Sequence, residues 1–218
     1  AKKGYLPFIP GAASVTAKGR ELIMSAIGYV RNKYKGDSTG HGQAKLVYGD
    51  TDSAMITFVG LTTEESFELG ERVAKETTHF LKTKLTGVTE DFTIRGIRID
   101  KYPRGEMGVL TDDEKIAIYR YDACPINLQF ENLYKKYLLL TKKRYIAYPV
   151  NQEGELKGMI KKGVVLTRRD NCQYLKIVYE NIVKGMMDGS TKEDTLAVLY
   201  DQIHRLFTRQ VSDTHLII

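Results

Sequence analysis

The sequence predicts an α+β fold: an antiparallel sheet with packed helices, followed by a small helical part. Three observations predict it. Apolar residues recur at helical spacing in the first forty or so residues. Two strand-like runs, 44–48 and 54–59, are separated by a link so short that they must be antiparallel neighbours. Beyond Gly163 the pattern turns helical.

Taken in order, residues 4–14 ("GYLPFIPGAAS") are punctuated by Pro and Gly and read as extended. Residues 14–35 read as a helix, with Val15, Leu22, Ala26, Tyr29 and Val30 at helical spacing. Its last turn is basic, which suits a helix C-terminus. "GDSTGHG" (36–42) is a connecting loop; it lacks the Lys-Ser/Thr that a P-loop requires. In the second strand Ala54, Ile56 and Phe58 share one face, and Met55, Thr57 and Val59 the other. Thr62 to Glu65 has the form of a capping box. It opens a helix to about residue 85 with Phe67, Gly70, Ala74, Thr77 and Leu81 on one face, ended by Gly87. Short β-like runs follow at 91–99 ("DFTIRGIRI") and 115–121 ("KIAIYRY"), then two or three more within 125–150. Cys172, Leu175, Tyr179, Ile182 and Met186 share a helical face that Gly189 breaks. Ser190 to Glu193 reads as a second capping box, opening a helix with Leu196, Leu199, Ile203 and Leu206 on its face.

Composition narrows the function. With 218 residues and 42% hydrophobic content, the chain has enough for a real core. It contains no apolar run long enough to span a membrane. It starts without Met or a signal-type segment, as though mid-domain. Cys124 and Cys172 form no CxxC, which suggests a reducing compartment. His41, His79, His204 and His215 have no metal-ligand spacing. The net charge of +6 is uneven: residues 135–169 hold ten basic side chains against Glu153 and Glu155, a net +8, so the remainder carries −2. Charge concentrated in this way suggests a polyanion surface; the alternative is a solvated face that happens to be basic.

"YGDTDS" (48–53) carries the sharpest chemistry. Residues i and i+2 of a strand point to one side, so Asp50 and Asp52 project together if the backbone stays extended. Two adjacent carboxylates repel, and a divalent cation removes that cost. Mg²⁺ takes hard oxygen ligands, usually one or two carboxylates together with substrate phosphates and water. The other reading is a plain turn with solvated acids.

"YGDTDS" resembles the signature hairpin of family B DNA polymerases, the group that includes eukaryotic replicative and large DNA-virus enzymes. Further segments resemble that family in the expected order: "GYLPFIPGAASVTAKGRELI" (4–23), "LQFENLYKKYLLLTKKRYIAY" (128–148) and "KKGVVLTRRDNC" (161–172). The resemblance implies a palm over 1–165, with its catalytic hairpin at 44–59 and a duplex-gripping strand at 138–148. The helical end of the palm and the thumb base then occupy 166–218. Residues 87–124 read as an insertion of one lineage.

The resemblance also implies site residues. Asp52 is the stronger metal ligand, and Asp50 lies close by and tunes the site. The cofactor is Mg²⁺ in a two-metal centre. Tyr48, Gly49, Thr51 and Ser53 flank the acids near the primer end or nucleotide, Gly49 allowing close approach. Lys142, Lys143, Arg144 and Tyr145 form the duplex grip, with Lys143 and Tyr145 on one side if this is a strand. A lysine there can donate to minor-groove acceptors that are nearly degenerate among base pairs. Lys162, Arg168 and Arg169 extend the DNA surface; Arg168 and Arg169 begin a helix, and either bind phosphate or pair with an acid such as Asp170. Glu131 is an internal partner for a basic residue. The implied partners are primer–template DNA, deoxynucleoside triphosphates, the remainder of the polymerase and a processivity factor. The implied location is an intracellular site of DNA replication, in the nucleus or a cytoplasmic viral factory.

The chain departs from the family pattern in what it lacks. The D-x-x-S-L-Y-P carboxylate motif, the K-x-x-x-N-S-x-Y-G fingers motif and the exonuclease motifs do not occur. Half an active site is therefore expected, from a fragment or a naturally split subunit, and no DNA synthesis by the chain alone. A duplex-binding module without catalysis is the other alternative, which the intact acid pair opposes. A reverse transcriptase fits less well, because its hairpin acids are typically adjacent.

Overall fold

The structure, a computed structural model, describes residues 8–218. It is α+β, with five α-helices and small antiparallel sheets. The chain forms two compact units, Ala1–Glu131 and Asn132–Ile218. Among the described residues no helix is long and apolar enough to cross a membrane.

The first unit begins with α1, Ile9–Lys33. Residues 9–14, expected to be extended, are its first turns. Pro10 lies where a helix leaves N–H groups unpaired anyway, so it starts the helix without breaking it. Residues 4–7 of the expected extended segment lie outside the described residues. Ala26, Ile27 and Val30 are buried, whereas Val15 is exposed and takes no part in the core. β1 (Ala44–Asp50) and β2 (Ser53–Phe58) form the antiparallel hairpin. The capping box at Thr62 and Glu65 opens α2, Thr63–Thr86, and Gly87 ends it in the left-handed conformation.

α1 and α2 are tied by side chains. Tyr29 stacks on Phe80 with ring centroids 4.4 Å apart. Lys33 pairs with Glu76 at 3.2 Å, and Lys84 Nζ donates to Ser25 Oγ at 2.8 Å. Beyond α2 a small module closes on its own core of Ile94, Ile99, Tyr102, Leu110, Ile118 and Tyr121. It contains β3 (Thr93–Ile94) and β4 (Ile97–Arg98), joined through left-handed Arg95 and Gly96. It ends in α3, Asp112–Ala123. The run "KIAIYRY" therefore belongs to a helix, not a strand. Thr111 and Glu114 form a capping box, and Ile118 and Tyr121 bury one helical face. Buried His79 of α2 holds this module, with its ring nitrogens 3.0 Å from Tyr121 Oη and 2.9 Å from the Glu90 carbonyl.

The second unit is a three-stranded sheet in the order β5 (Leu133–Thr141), β6 (Arg144–Val150), β7 (Ile160–Lys162), with two helices. Ile146, Val164 and Val183 form its core, with Leu138, Met159, Leu166, Tyr179 and Met187 packed around them. α4 spans Gln173–Asp188 and α5 Lys192–Phe207. α4 buries Val178 and Val183, while Leu175 and Met186 of the expected face are exposed. The capping box before α5 is formed by Thr191 and Asp194, one residue later than the sequence suggests. Leu196, Ile203 and Leu206 on α5 remain about 40% exposed.

Candidate active site and nucleic-acid interface

The hairpin tip is built from below. Tyr34 caps α1, and its carbonyl accepts from the Ala44 amide at 2.9 Å, starting β1 where α1 ends. The Tyr34 ring meets Phe58 of β2 edge-on at 5.7 Å. The loop before β1 is closed by Asp37, whose Oδ1 accepts from the Thr39 amide, the Thr39 hydroxyl and the His41 amide. These bonds, the Thr39 hydroxyl first, hold the Asp37 carboxyl below its ordinary pKa. Pairing then runs to the tip: Tyr48 opposite Met55, Gly49 opposite Ala54, Asp50 opposite Ser53. Val47 is an extra residue in this ladder, a bulge that re-aims the last three residues of β1.

The backbone does not stay extended through the acid pair. Asp50 ends β1, Thr51 is left-handed with φ 35°, and Asp52 lies in the turn. The alternation that would send both carboxylates to one side therefore does not carry across the tip. Thr51 Oγ1 donates to Asp50 Oδ1 at 3.2 Å, and Ser53 Oγ donates to the Asp50 carbonyl at 3.3 Å. Asp52 is exposed and has no hydrogen bond or ion pair among the described residues. Gly49 does not need its missing Cβ for this unit: an added one would lie 3.8 Å from the Ser53 carbonyl and 4.0 Å from Ile27 Cδ1, ordinary contacts. The donor set suits Mg²⁺ in kind, being carboxylate oxygen, and is short in number. No group of three or more His, Cys, Asp or Glu side chains among the described residues is placed to hold a metal ion.

In the second unit, residues 138–148 are not one strand. β5 ends at Thr141, Lys142 and Lys143 form the turn, and β6 begins at Arg144. Lys143 is left-handed with φ 64°, so strand alternation does not relate it to Tyr145. Tyr145 instead packs on Tyr137 at 5.2 Å between centroids and faces Lys162 across the β6–β7 ladder. Lys142, Lys143, Arg144 and Lys162 are all exposed. Beside the turn lies a groove of about 250 Å³, lined among others by Thr141, Arg144, Gly163, Arg168, Asn171 and Tyr179.

The basic window divides into paired and unpaired cations. Lys136 pairs with Asp188 at 2.8 Å and Lys161 with Glu180 at 3.2 Å. Arg168 grips Asp170 with two hydrogen bonds, which lowers the Asp170 pKa. Lys142, Arg144, Lys157, Lys162 and Arg169 have no ion pair among the described residues. Arg168 and Arg169 do not begin a helix; they lie in the connection before α4, which starts at Gln173. Glu131 is exposed and makes no ion pair among the described residues, against the expectation of a basic partner. Sequence reading gives no weight to Gly163, whose signal is a glycine directly after two lysines. Its carbon lies against the Lys143 carbonyl.

Comparison with known proteins gives the family. The chain is 29% identical to the DNA polymerase of Invertebrate iridescent virus 6 over 97% of its length, which is 14% of that protein. It is 26% identical over its whole length to the DNA polymerase delta catalytic subunit of Schizosaccharomyces pombe, covering 16% of it. It is 30% identical over 85% of its length to the delta catalytic subunit of Oryza sativa subsp. japonica, covering 13%. The chain thus spans about one seventh of the length of these relatives. The sequence profile described as DNA polymerase family B matches residues 1–87 and 113–216, passing over 88–112. The chain belongs to DNA polymerase family B.

Proposed function

We propose that this chain is part of a DNA-directed DNA polymerase and supplies one side of its active site. The observation that carries the reading is the Asp52 carboxylate, exposed and without a hydrogen bond or ion pair among the described residues, at the tip of a hairpin in a chain of this polymerase family. The substrates are a primer–template and deoxynucleoside triphosphates. In the reaction the primer 3′-hydroxyl loses its proton and its oxygen bonds to the α-phosphorus, while the bond to the pyrophosphate leaving group breaks.

Asp52, with Asp50 beside it, would hold Mg²⁺ together with a carboxylate outside this chain. Bound there, the ion supplies charge neutralisation at the reacting phosphates. The chain's own contribution is placement. The β1–β2 ladder fixes the height of the acids, and the Thr51 and Ser53 bonds to Asp50 fix the turn. Tyr48 and Gly49, the two residues before Asp50 on β1, would flank the primer end or nucleotide, where the absence of a Cβ at Gly49 leaves room for it.

Lys142, Lys143, Arg144 and Tyr145, with Lys162 and Arg169, are the proposed duplex grip. Exposed lysines on a tight turn offer donors to backbone phosphate and to minor-groove acceptors common to all base pairs. Arg168 is held by Asp170 and contributes less free charge. The palm and thumb-base division at 165/166, the insertion at 87–124, a processivity partner and a replication-site location belong to the same proposal.

The test is primer extension by the complete protein that contains this chain. Asp52→Asn is expected to abolish nucleotide incorporation while primer–template affinity stays within a few-fold. Near-normal synthesis by that variant refutes the ligand assignment.

A further inference from the structure

We propose that Gly163 is a positioning residue for the Lys142–Lys143 turn, an inference that rests on reading that turn as the duplex grip. Gly163 follows β7 directly and is left-handed, φ 61°. A Cβ built on it would be driven into the Lys143 carbonyl oxygen, well inside van der Waals contact, and would lie 3.3 Å from Arg144 Cγ. The obstacle is main chain, so it cannot swing aside as a side-chain end does.

Gly163 itself has no room to retreat. On one side Tyr145, Ile146 and Ala147 hold β7 in register through Lys162, Lys161 and Ile160. On the other, Val164 is 1% exposed in the core with Ile146 and Val183. The β7 strand and the core anchor are thus fixed on both sides of residue 163. The piece that can yield is the turn. It is joined to β6 at Arg144 and to β5 at Thr141, beside a register shift at Leu140. A side chain at 163 therefore lifts the Lys143 peptide and moves both lysines from the places the turn gives them. The glycine sets the turn's height by direct contact of its bare carbon with the Lys143 carbonyl.

Gly154 provides the matched control. It is also left-handed, φ 79°, in the loop between β6 and β7, but an added Cβ there meets nothing within 4 Å. Gly154→Ala carries the backbone strain of a left-handed alanine without touching the turn.

The experiment measures primer–template affinity of the complete polymerase against salt concentration, for Gly163→Ala, the pair Lys142→Ala/Lys143→Ala, the triple variant that combines them and Gly154→Ala. Gly163→Ala is expected to weaken affinity roughly tenfold at moderate salt and to lower the log–log salt slope by about one. The turnover rate at saturating DNA should change less than the apparent KM for DNA. In the triple variant the loss is expected to match Lys142→Ala/Lys143→Ala alone, because Gly163→Ala acts on binding through those two lysines. Gly154→Ala should leave affinity unchanged.

Unchanged affinity in Gly163→Ala, or a loss in the triple variant beyond that of Lys142→Ala/Lys143→Ala, overturns the proposal while the grip reading stands. Unchanged affinity in Lys142→Ala/Lys143→Ala overturns the reading of that turn as grip, and the positioning role falls with it. Should Gly163→Ala not fold, Lys143→Gly/Gly163→Ala decides, since a glycine at 143 lets the turn give way. Recovery of a folded enzyme that binds DNA like Lys143→Gly supports the contact. Failure to recover means that Gly163 serves the sheet and not the turn, which overturns the proposal.

Discussion

The Tyr34 hydroxyl donates to Glu76 Oε2 at 2.5 Å, locking the end of α1 to the middle of α2 directly beneath the hairpin. Burial opposes ionisation of Glu76, but hydrogen bonds from Tyr34 and Lys33 outweigh it and hold the carboxyl below its ordinary range. Burial and the same carboxylate push the Tyr34 phenol up, so it remains a donor. A carboxyl with a depressed folded pKa gives stability that is fully present above its unfolded pKa, about 4.3. That stability is lost as pH falls through the folded value. Tyr34→Phe is expected to cost about 1.5–3 kcal/mol at neutral pH, and the cost should shrink below about pH 4. Denaturant unfolding of wild type and variant at both pH values checks this. An equal cost at both assigns the loss to packing instead.

The chain by itself is expected to bind duplex DNA and to incorporate no nucleotide. Its hairpin brings two carboxylates, and Asp52 is exposed. A primer-extension assay on the purified 218-residue chain, with a filter-binding titration beside it, separates the two properties. Incorporation above background would show that the site is complete without a further carboxylate.

Paired and unpaired lysines should differ in their salt response. Lys142→Ala and Lys162→Ala are each expected to lower the salt slope of DNA binding by about one, with little dependence on sequence. Lys136→Ala should leave the slope as it is, because Asp188 already neutralises that lysine at 2.8 Å. Equal slopes for all three variants would dissolve the distinction.

His79 is expected to matter for the module built after α2 and not for the hairpin. The Glu90 carbonyl can only accept, so Nε2 donates to it and Nδ1 accepts from the Tyr121 hydroxyl. Tyr121→Phe strands Nδ1 at a cost of about 1–3 kcal/mol. Hydrogen exchange should then quicken in α3 and leave β1 and β2 protected. Uniform quickening would mean that the module unfolds only together with the rest of its unit.

The α+β class and the hairpin were legible because each rests on local chemistry: caps at Thr62 and Gly87, and a link too short for anything but antiparallel pairing. The misreadings came where two local signals compete. In 115–121 apolar alternation outvoted Thr111 and Glu114, although the same cap signature identifies α2. At Lys142 and Lys143 a basic run inside apolar sequence hid a turn, because the left-handed residue is a lysine and not a glycine. Which cations are neutralised was legible only at Arg168, whose acid Asp170 lies two residues along the chain. Lys136 and Asp188 are 52 residues apart in sequence, and their pairing follows from the packing of α4 on β5. Gly163 escaped for the same reason, since its constraint comes from a turn twenty residues earlier.

Thr51 and Lys143 share an unusual backbone state. Both occupy the region of positive φ that glycine enters freely, and Thr51 is β-branched, the kind of residue least suited to it. Each turn would form more readily with glycine, so folding ease does not account for the residues present. Selection for thermal resistance without regard to synthesis should therefore replace these two positions early. If the proposed function holds, such variants would be sturdier and would synthesise DNA less well, with the defect confined to two tips whose scaffolds are intact.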